Sequence, residues 1–423
     1  VNRPLSVVVI PATLFLLHYK GNYKEVFIGF FLILVIADTR YRPLKFAVDV
    51  KNVYLVVLAF LVLFDRRNFT SLVKLYQRFL PFFVVATIAL VFSKVPFIAM
   101  QKTLSYLLLL IVVPTFVVKL YEEYGNRVFR YIIHFYIVLF ILGLVLRLVF
   151  PDFVLIGGRY SGVLGNPNGL GIFTFFGIIV ASVILEKLPG LCGRWELILF
   201  YGLAFISLLL CGSRGAIIGT LIFLSFAYFF RMSPFLGLIV LVLVIVGYEL
   251  LLNNVSVIII ALGLEDYFRI ETLEIGSGRL VAWKFAWEHI QSSFFLGKGF
   301  ANTEQLFATH HRELNLLGHQ GNAHNSYLTF WLDTGIIGLL LFLRALVSVF
   351  TQASKTTRLA FPILFAVLFY ANIESWLTAS LNPFTIQLMI VLTVLLFVDF
   401  KDSEEDDTPT TTKPGTPSNV ITA

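Results

Sequence analysis

Charge is what this sequence has least of. Only 13% of its 423 residues are Asp, Glu, Lys or Arg, about half of the roughly one quarter usual in soluble domains. Set against 58% hydrophobic residues and a mean hydropathy of +0.88, that scarcity excludes a water-soluble globule. No soluble core of this length hides so much apolar side chain, so the surplus must face lipid. Cysteine is scarce too: Cys192 and Cys211 are the only two. They form no zinc-type pair, and the expected topology puts them at opposite membrane faces, so no disulfide is expected. There is no G-x-x-x-x-G-K-[ST] loop to cradle ATP, and no internal repeat of the kind many transporters show. The apolar run from Leu5 lacks a small-residue cleavage site and reads as a retained first helix. The net charge of +7 is not gathered into a domain apart from the membrane, so nucleic acid is not an expected partner. Lys and Arg lie instead in short connections, where they set topology and meet the headgroups of membrane lipids.

What the chain has in abundance is continuous apolar runs, rich in Leu, Ile, Val and Phe. An outer-membrane barrel shows short alternating segments instead. The expected fold is an all-α integral membrane protein of about 12 transmembrane helices. The run at 53–64 is short and lies between two basic stretches, Arg40/Arg42/Lys45/Lys51 and Arg66/Arg67/Lys74/Arg78. Both stretches are expected in the cytoplasm, which makes the run re-entrant or interfacial. Counting back from the basic connection at 355–358 puts 119–130, 187–195 and 231–234 inside. The connections 93–103, 151–169, 211–214, 264–325 and 372–384 then fall outside. Residues 1–400 form one polytopic unit with a large outer loop at about 264–325. The acidic, Thr/Pro-rich stretch 401–423 reads as a disordered cytoplasmic tail.

Four segments carry polarity that packing does not require, and all four are expected on the outer face. Arg159-Tyr160-Ser161-Gly162 runs into Asn166-Pro167-Asn168-Gly169; the Asn/Gly part signals a turn, with Asn168 as a helix cap, while Arg159 suits an anion. In Ser213-Arg214-Gly215 there is almost no loop, so Arg214 sits at the membrane boundary, either snorkelling to headgroups or meeting a ligand that the glycines let approach. Gly276-Ser277-Gly278-Arg279 begins a helix at Ser277 or Gly278, with Arg279, Trp283 and Trp287 on one face. A helix start with an arginine in its first turn suits a phosphate, and the two Trp suit the lipid interface. Ala323-His324-Asn325-Ser326-Tyr327 lies where the loop re-enters the membrane; His324 is either polar surface or a base for a hydroxyl nucleophile. His310, His311, His319 and His324 raise a metal reading, but their spacing matches no zinc pattern and no metal is expected.

In their order and spacing these segments, with Gly335 and Gly338, resemble the O-antigen ligase/polymerase superfamily of bacterial envelope enzymes, over about residues 150–400. The resemblance implies a GT-C-type glycosyltransferase of the bacterial inner membrane, with a large periplasmic loop and its active site at the periplasmic face. Its donor is a glycan on undecaprenyl pyrophosphate, transferred with inversion and without metal, cofactor or ATP. In that scheme Arg214 and Arg279 bind the pyrophosphate, with Arg159 as a weaker third cation. His324 deprotonates or orients the acceptor hydroxyl, and Ser213, Gly278, Asn325 and Tyr327 support them. The family often carries a second histidine just before the His-Asn pair; here Asn322 and Ala323 stand there, leaving His319 as the available helper. Ligation to lipid A-core is the leading expectation. Polymerisation of lipid-linked glycan follows closely, then transfer to protein, and a glycolipid transporter is the non-enzymatic alternative.

Overall fold

The computed structural model describes residues 3–65, 67–69, 71–261 and 278–397. Gly276, Ser277 and the 401–423 tail lie outside the described residues, as does Arg66. The apolar runs become helices: α1 (Arg3–Tyr19), α2 (Tyr23–Asp38), α3 (Phe46–Phe64), α4 (Tyr76–Ala89), α5 (Pro96–Tyr124) and α6 (Arg127–Val149). After a single turn, α7 (Pro151–Val154), come α8 (Pro167–Lys187), α9 (Arg194–Cys211), α10 (Arg214–Met232) and α11 (Pro234–Ala261). The outer loop contributes α12 (Arg279–Ile290), α13 (Asn302–Thr309) and α14 (His311–Leu316), and α15 (Ser326–Ala353), α16 (Ala360–Ile373) and α17 (Thr385–Phe397) follow it. The only strands among the described residues form a short hairpin that pairs Leu155–Ile156 with Arg159–Tyr160. Proline stands at the first turn of α5, α7 and α8, where its missing N–H costs nothing and its fixed φ suits the helix.

Among the described residues, seven helices are long and apolar enough to cross a membrane, and five shorter apolar ones run among them. Val8, Val91, Phe97, Leu148, Phe205 and Phe235 are all more than half exposed. An apolar girdle of that extent is a lipid-facing surface. Cys192 and Cys211 are free thiols.

Side-chain contacts fix the direction of α3 and correct the expectation for its flanks. At one end of the bundle, Gly165 N–H donates to the Asp38 carboxylate (3.1 Å) and Lys51 Nζ donates to the Leu381 carbonyl (2.9 Å). At the other end, His18 Nε2 lies 2.8 Å from Asp65, and Arg78 donates to Ser348 Oγ (2.9 Å). The stretch 40–51 therefore lies beside 165 and 381, while 65–78 lies at the far end. The run at 53–64 is the inner part of a helix long enough to span. It looked short because Asp49, Lys51 and Asn52 interrupt the apolar pattern of its first turns.

The outer loop is locked into the bundle at a break in α15. Gly335 leaves helical geometry (φ 70°, ψ 175°), and the 294–299 segment fills the gap. Lys298 N–H donates to the Leu332 carbonyl (3.1 Å), Gly299 N–H to that of Asp333 (2.8 Å), and Ile336 N–H to that of Phe294 (2.9 Å). These bonds replace the ones the helix gives up. The buried Asp333 carboxylate accepts from Thr303 N–H (2.9 Å) and Oγ1 (2.8 Å). Ala282, Ala286, Ile290, Phe307, Leu314 and Ala323 pack with Leu332 into a small apolar cluster beneath the loop. A Cβ at Gly335 would stand on the Phe295 carbonyl. Gly335→Ala is expected to cost roughly 2–4 kcal/mol through backbone strain and overpacking, read as a lower melting temperature in detergent.

Candidate functional site

At the end of the bundle that carries the loop, side chains distant in sequence converge on one carboxylate, Glu374. It follows the last residue of α16, and its side chain is 11% exposed. Arg279 donates to Oε1 (3.1 Å), Asn168 Nδ2 donates to the same oxygen (2.9 Å), and His324 Nδ1 lies 3.0 Å from Oε2. A carboxylate only accepts, so Nδ1 carries the proton and Nε2 holds the lone pair. Nε2 faces Gly321, where a Cβ would come within 3.1 Å of it; the glycine leaves that edge of the ring open. The imidazole is 29% exposed. The carboxylate orients the base from behind while the base looks outward.

Each partner is aimed by local structure. Gly278 caps α12 in the left-handed region (φ 70°), and a Cβ there would lie 2.6 Å from the Gly318 carbonyl. Its glycine identity serves this close approach, which sets Arg279 beside the 318–319 backbone. Trp283, expected at the lipid interface, instead donates its indole N–H to the Ala323 carbonyl (3.1 Å), so α12 grips the chain one residue before His324. Trp287 is 43% exposed and packs edge-on to Trp331. His324 itself has φ 45°, a strained conformation for a residue with a side chain. Asn325 holds the next turn: its Oδ1 caps α15 at Leu328 N–H (3.1 Å), its Nδ2 donates to Asn372 (2.9 Å), and its N–H donates to Ser375 Oγ (2.9 Å). Ser326 Oγ donates to the Glu374 carbonyl (2.7 Å), and Tyr327 OH to that of Leu368 (2.6 Å). Asn325 and Tyr327 thus fix the register of α15 against α16, which presents Glu374 to His324.

The arginines approach from the other side. Arg159, on the hairpin, donates through Nε to the Cys211 carbonyl (2.9 Å) and through its terminal nitrogen to Asn168 Oδ1 (2.9 Å). Asn168 therefore bridges Arg159 to Glu374. The helix cap expected of Asn168 falls to Asn166, whose Oδ1 accepts from Gly169 N–H (2.7 Å); Asn168, two residues later, bridges instead. Arg214 begins α10 and is exposed. On either side of it, Ser213 is buried against Gly171, and Gly215 packs on Tyr370 and Ile373, next to Glu374. Arg214 is thereby carried to the same rim.

Of the four loop histidines expected as a cluster, His311 is exposed and the others separate. His310 packs on His289 and Phe285. His319 is buried, its ring centroid 6.0 Å from that of His324, and its Nε2 meets no partner among the described residues. Burial, and then repulsion from a protonated His324, push the His319 pKa below its ordinary 6.5. A neutral buried histidine binds fewer protons folded than unfolded. Its contribution to stability is intact above about pH 6.5 and falls away as acidification protonates the unfolded chain first. Melting temperature in detergent is expected to drop between about pH 6.5 and 5, less so in His319→Gln.

Glu374 and Asn168 escaped sequence reading. A usable signal existed for the first: Glu374 is the one charged residue between Leu359 and Val398, and an ionisable group among apolar spans marks function by default. Chemically, the constellation offers a base with an open lone pair, a carboxylate that orients it, and three guanidiniums that can take up negative charge.

Compared with known families, residues 199–343, about a third of the chain, match the sequence model of the O-antigen ligase family. The matched stretch contains Arg214, Arg279, His319 and His324; Arg159, Asn168 and Glu374 lie outside it. No curated protein matches the chain.

Proposed function

We propose, from the match of residues 199–343 to the O-antigen ligase family and the geometry around Glu374, that this chain is an O-antigen ligase. It would move a glycan from undecaprenyl pyrophosphate to lipid A-core at the periplasmic face of the bacterial inner membrane, on a GT-C-type scaffold. The observation that carries this reading is the seating of Arg279 and His324 on the two oxygens of Glu374. A sugar pyrophosphate needs two things of its enzyme: cations where charge grows on the leaving group, and a base at the incoming hydroxyl. Both stand here on one rigid hub. The acceptor oxygen attacks the anomeric carbon from the face opposite the pyrophosphate, the carbon–oxygen bond to phosphate breaks, and the sugar carbon inverts. His324 Nε2 takes the hydroxyl proton, while Arg279, Arg214 and Arg159 hold the departing pyrophosphate. The energy comes from the donor's own bond, so neither ATP nor metal is called for, and turnover is expected to withstand EDTA.

Orientation follows from charge. The connections at the end away from Glu374 carry Lys20, Arg67, Lys74, Arg127, Lys187, Lys355 and Arg358, which marks that end as cytoplasmic. The test is purified protein in liposomes with lipid-linked glycan. Glycan appearing on lipid A-core supports the ligase; lengthening of the lipid-linked chain instead makes the protein a polymerase, and transfer to protein an oligosaccharyltransferase. Glycolipid crossing the bilayer without any transfer overturns the enzymatic reading.

A further inference from the structure

The position of residues 39–45 is at odds with the charge rule that orients the rest of the chain. This connection between α2 and α3 holds Arg40, Arg42 and Lys45, yet it lies at the Glu374 end of the bundle, the end assigned above to the periplasm. The other short connections at that end carry little positive charge among the described residues: Lys94 in 90–95, Arg159 in 150–166, and no Lys or Arg in 212–213 or 374–384. Cationic loops are retained on the cytoplasmic side as a rule, so three in seven residues on the opposite side call for a counter-charge that is present there.

The surroundings narrow what that counter-charge is. Arg40 and Arg42 are exposed and Lys45 half-exposed. Within 39–51 the four cations, Lys51 included, face the one acid Asp49. Asp38, whose carboxylate feels Arg40, Lys45 and Lys51, is already engaged by Gly165 N–H. Lys102, which acts on Lys51, is paired with Glu304. The exposed pair Arg40 and Arg42 flanks Tyr41, half exposed and edge-on to Phe153 at 5.3 Å, an aromatic shelf at interface depth. The patch is also joined to the site. The 165–169 turn touches Asp38 on one side and, through Asn168, reaches Glu374 on the other. The connection that begins at Glu374 is held by Lys51 at Leu381.

Resting on the transferase reading, we infer that Arg40, Arg42 and Lys45 form a second anion site, which docks the phosphate-bearing headgroup of the acceptor glycolipid. Donor and acceptor would then approach His324 from two cationic flanks, the donor by Arg214 and Arg279 and the acceptor over the 165–169 turn. The Arg40→Gln/Arg42→Gln/Lys45→Gln variant is expected to raise the KM for a phosphorylated acceptor at least tenfold. The donor KM should stay within about twofold of wild type, and the loss should vanish with a dephosphorylated acceptor. Restoring charge with Lys at 40 and 42 should recover most of the affinity. Melting temperature identifies a folding defect, in which case the single exposed-residue variants Arg40→Gln and Arg42→Gln are read instead. An unchanged acceptor KM overturns the inference. So does an equal rise for both acceptors, or a loss confined to binding of phosphatidylglycerol vesicles, which would make the patch a membrane anchor. If the wild type transfers glycan to no lipid acceptor at all, the ligase reading fails first and this site falls with it.

Discussion

Glu374→Gln is expected to fold normally and to lose transfer by roughly 10²–10⁴-fold. The size follows from the amide's asymmetry. Glu374 Oε1 receives two donors, from Arg279 and Asn168, and Oε2 faces His324 alone. A glutamine satisfies the crowded side by turning its oxygen toward Arg279 and Asn168. Its NH2 then points at His324 Nδ1, which must become an acceptor. The ring proton moves to Nε2, and the lone pair that should take the acceptor's proton is gone. Packing is preserved, so kcat falls while donor KM changes little. Glu374→Ala should lose as much activity and stability as well, because it strands Arg279, Asn168 and His324 together. A double variant with His324→Ala should be no worse than either single change, since both act through one base. Equal kcat in wild type and Glu374→Gln would mean that the carboxylate only packs.

Arg279→Ala is expected to act on the donor instead. Loss of a positioned cation at a leaving group typically lowers kcat by about 10²–10³-fold, and here the donor KM should rise as well because pyrophosphate binding weakens before reaction. Arg279→Lys should restore binding more than rate, since an ammonium supplies charge without the planar fork. Acceptor KM should hardly move, and that contrast with the 40–45 variants separates the two flanks. The readout is initial rate against donor concentration at saturating acceptor, with donor binding measured independently by quenching of tryptophan fluorescence. Undiminished donor binding in Arg279→Ala would remove this arginine from the pyrophosphate site.

The membrane character and the polar segments were legible from residues alone, because apolar runs and their polar interruptions are local facts. The helix at Arg279, the α15 start at Ser326 and the candidate roles of Arg159, Arg214, Arg279 and His324 all came from short stretches of chain. What stayed hidden was long-range. Asn168 reads as a cap until a partner 206 residues away takes its amide. Glu374 lies in the 372–384 connection, and its partners Asn168, Arg279 and His324 stand 206, 95 and 50 residues away, beyond the reach of any local pattern. The 12-residue apolar run at 53–64 is too short to span by itself, whereas the helix continues back through Asn52, Lys51 and Asp49: the first two are half-buried, Lys51 donates to the Leu381 carbonyl, and Asp49 is exposed. The break at Gly335 cannot be read from glycine alone, since its cause is the 294–299 segment that fills it.

On the proposed function, one end of this bundle binds a lipid-pyrophosphate glycan and transfers it through His324. The most direct measurement is donor binding and transfer side by side, in EDTA, for the wild type and His324→Ala. Donor affinity of the variant is expected within about threefold of wild type, with transfer reduced by about 10²–10⁴-fold. Transfer by His324→Ala at the wild-type rate would contradict the proposed function.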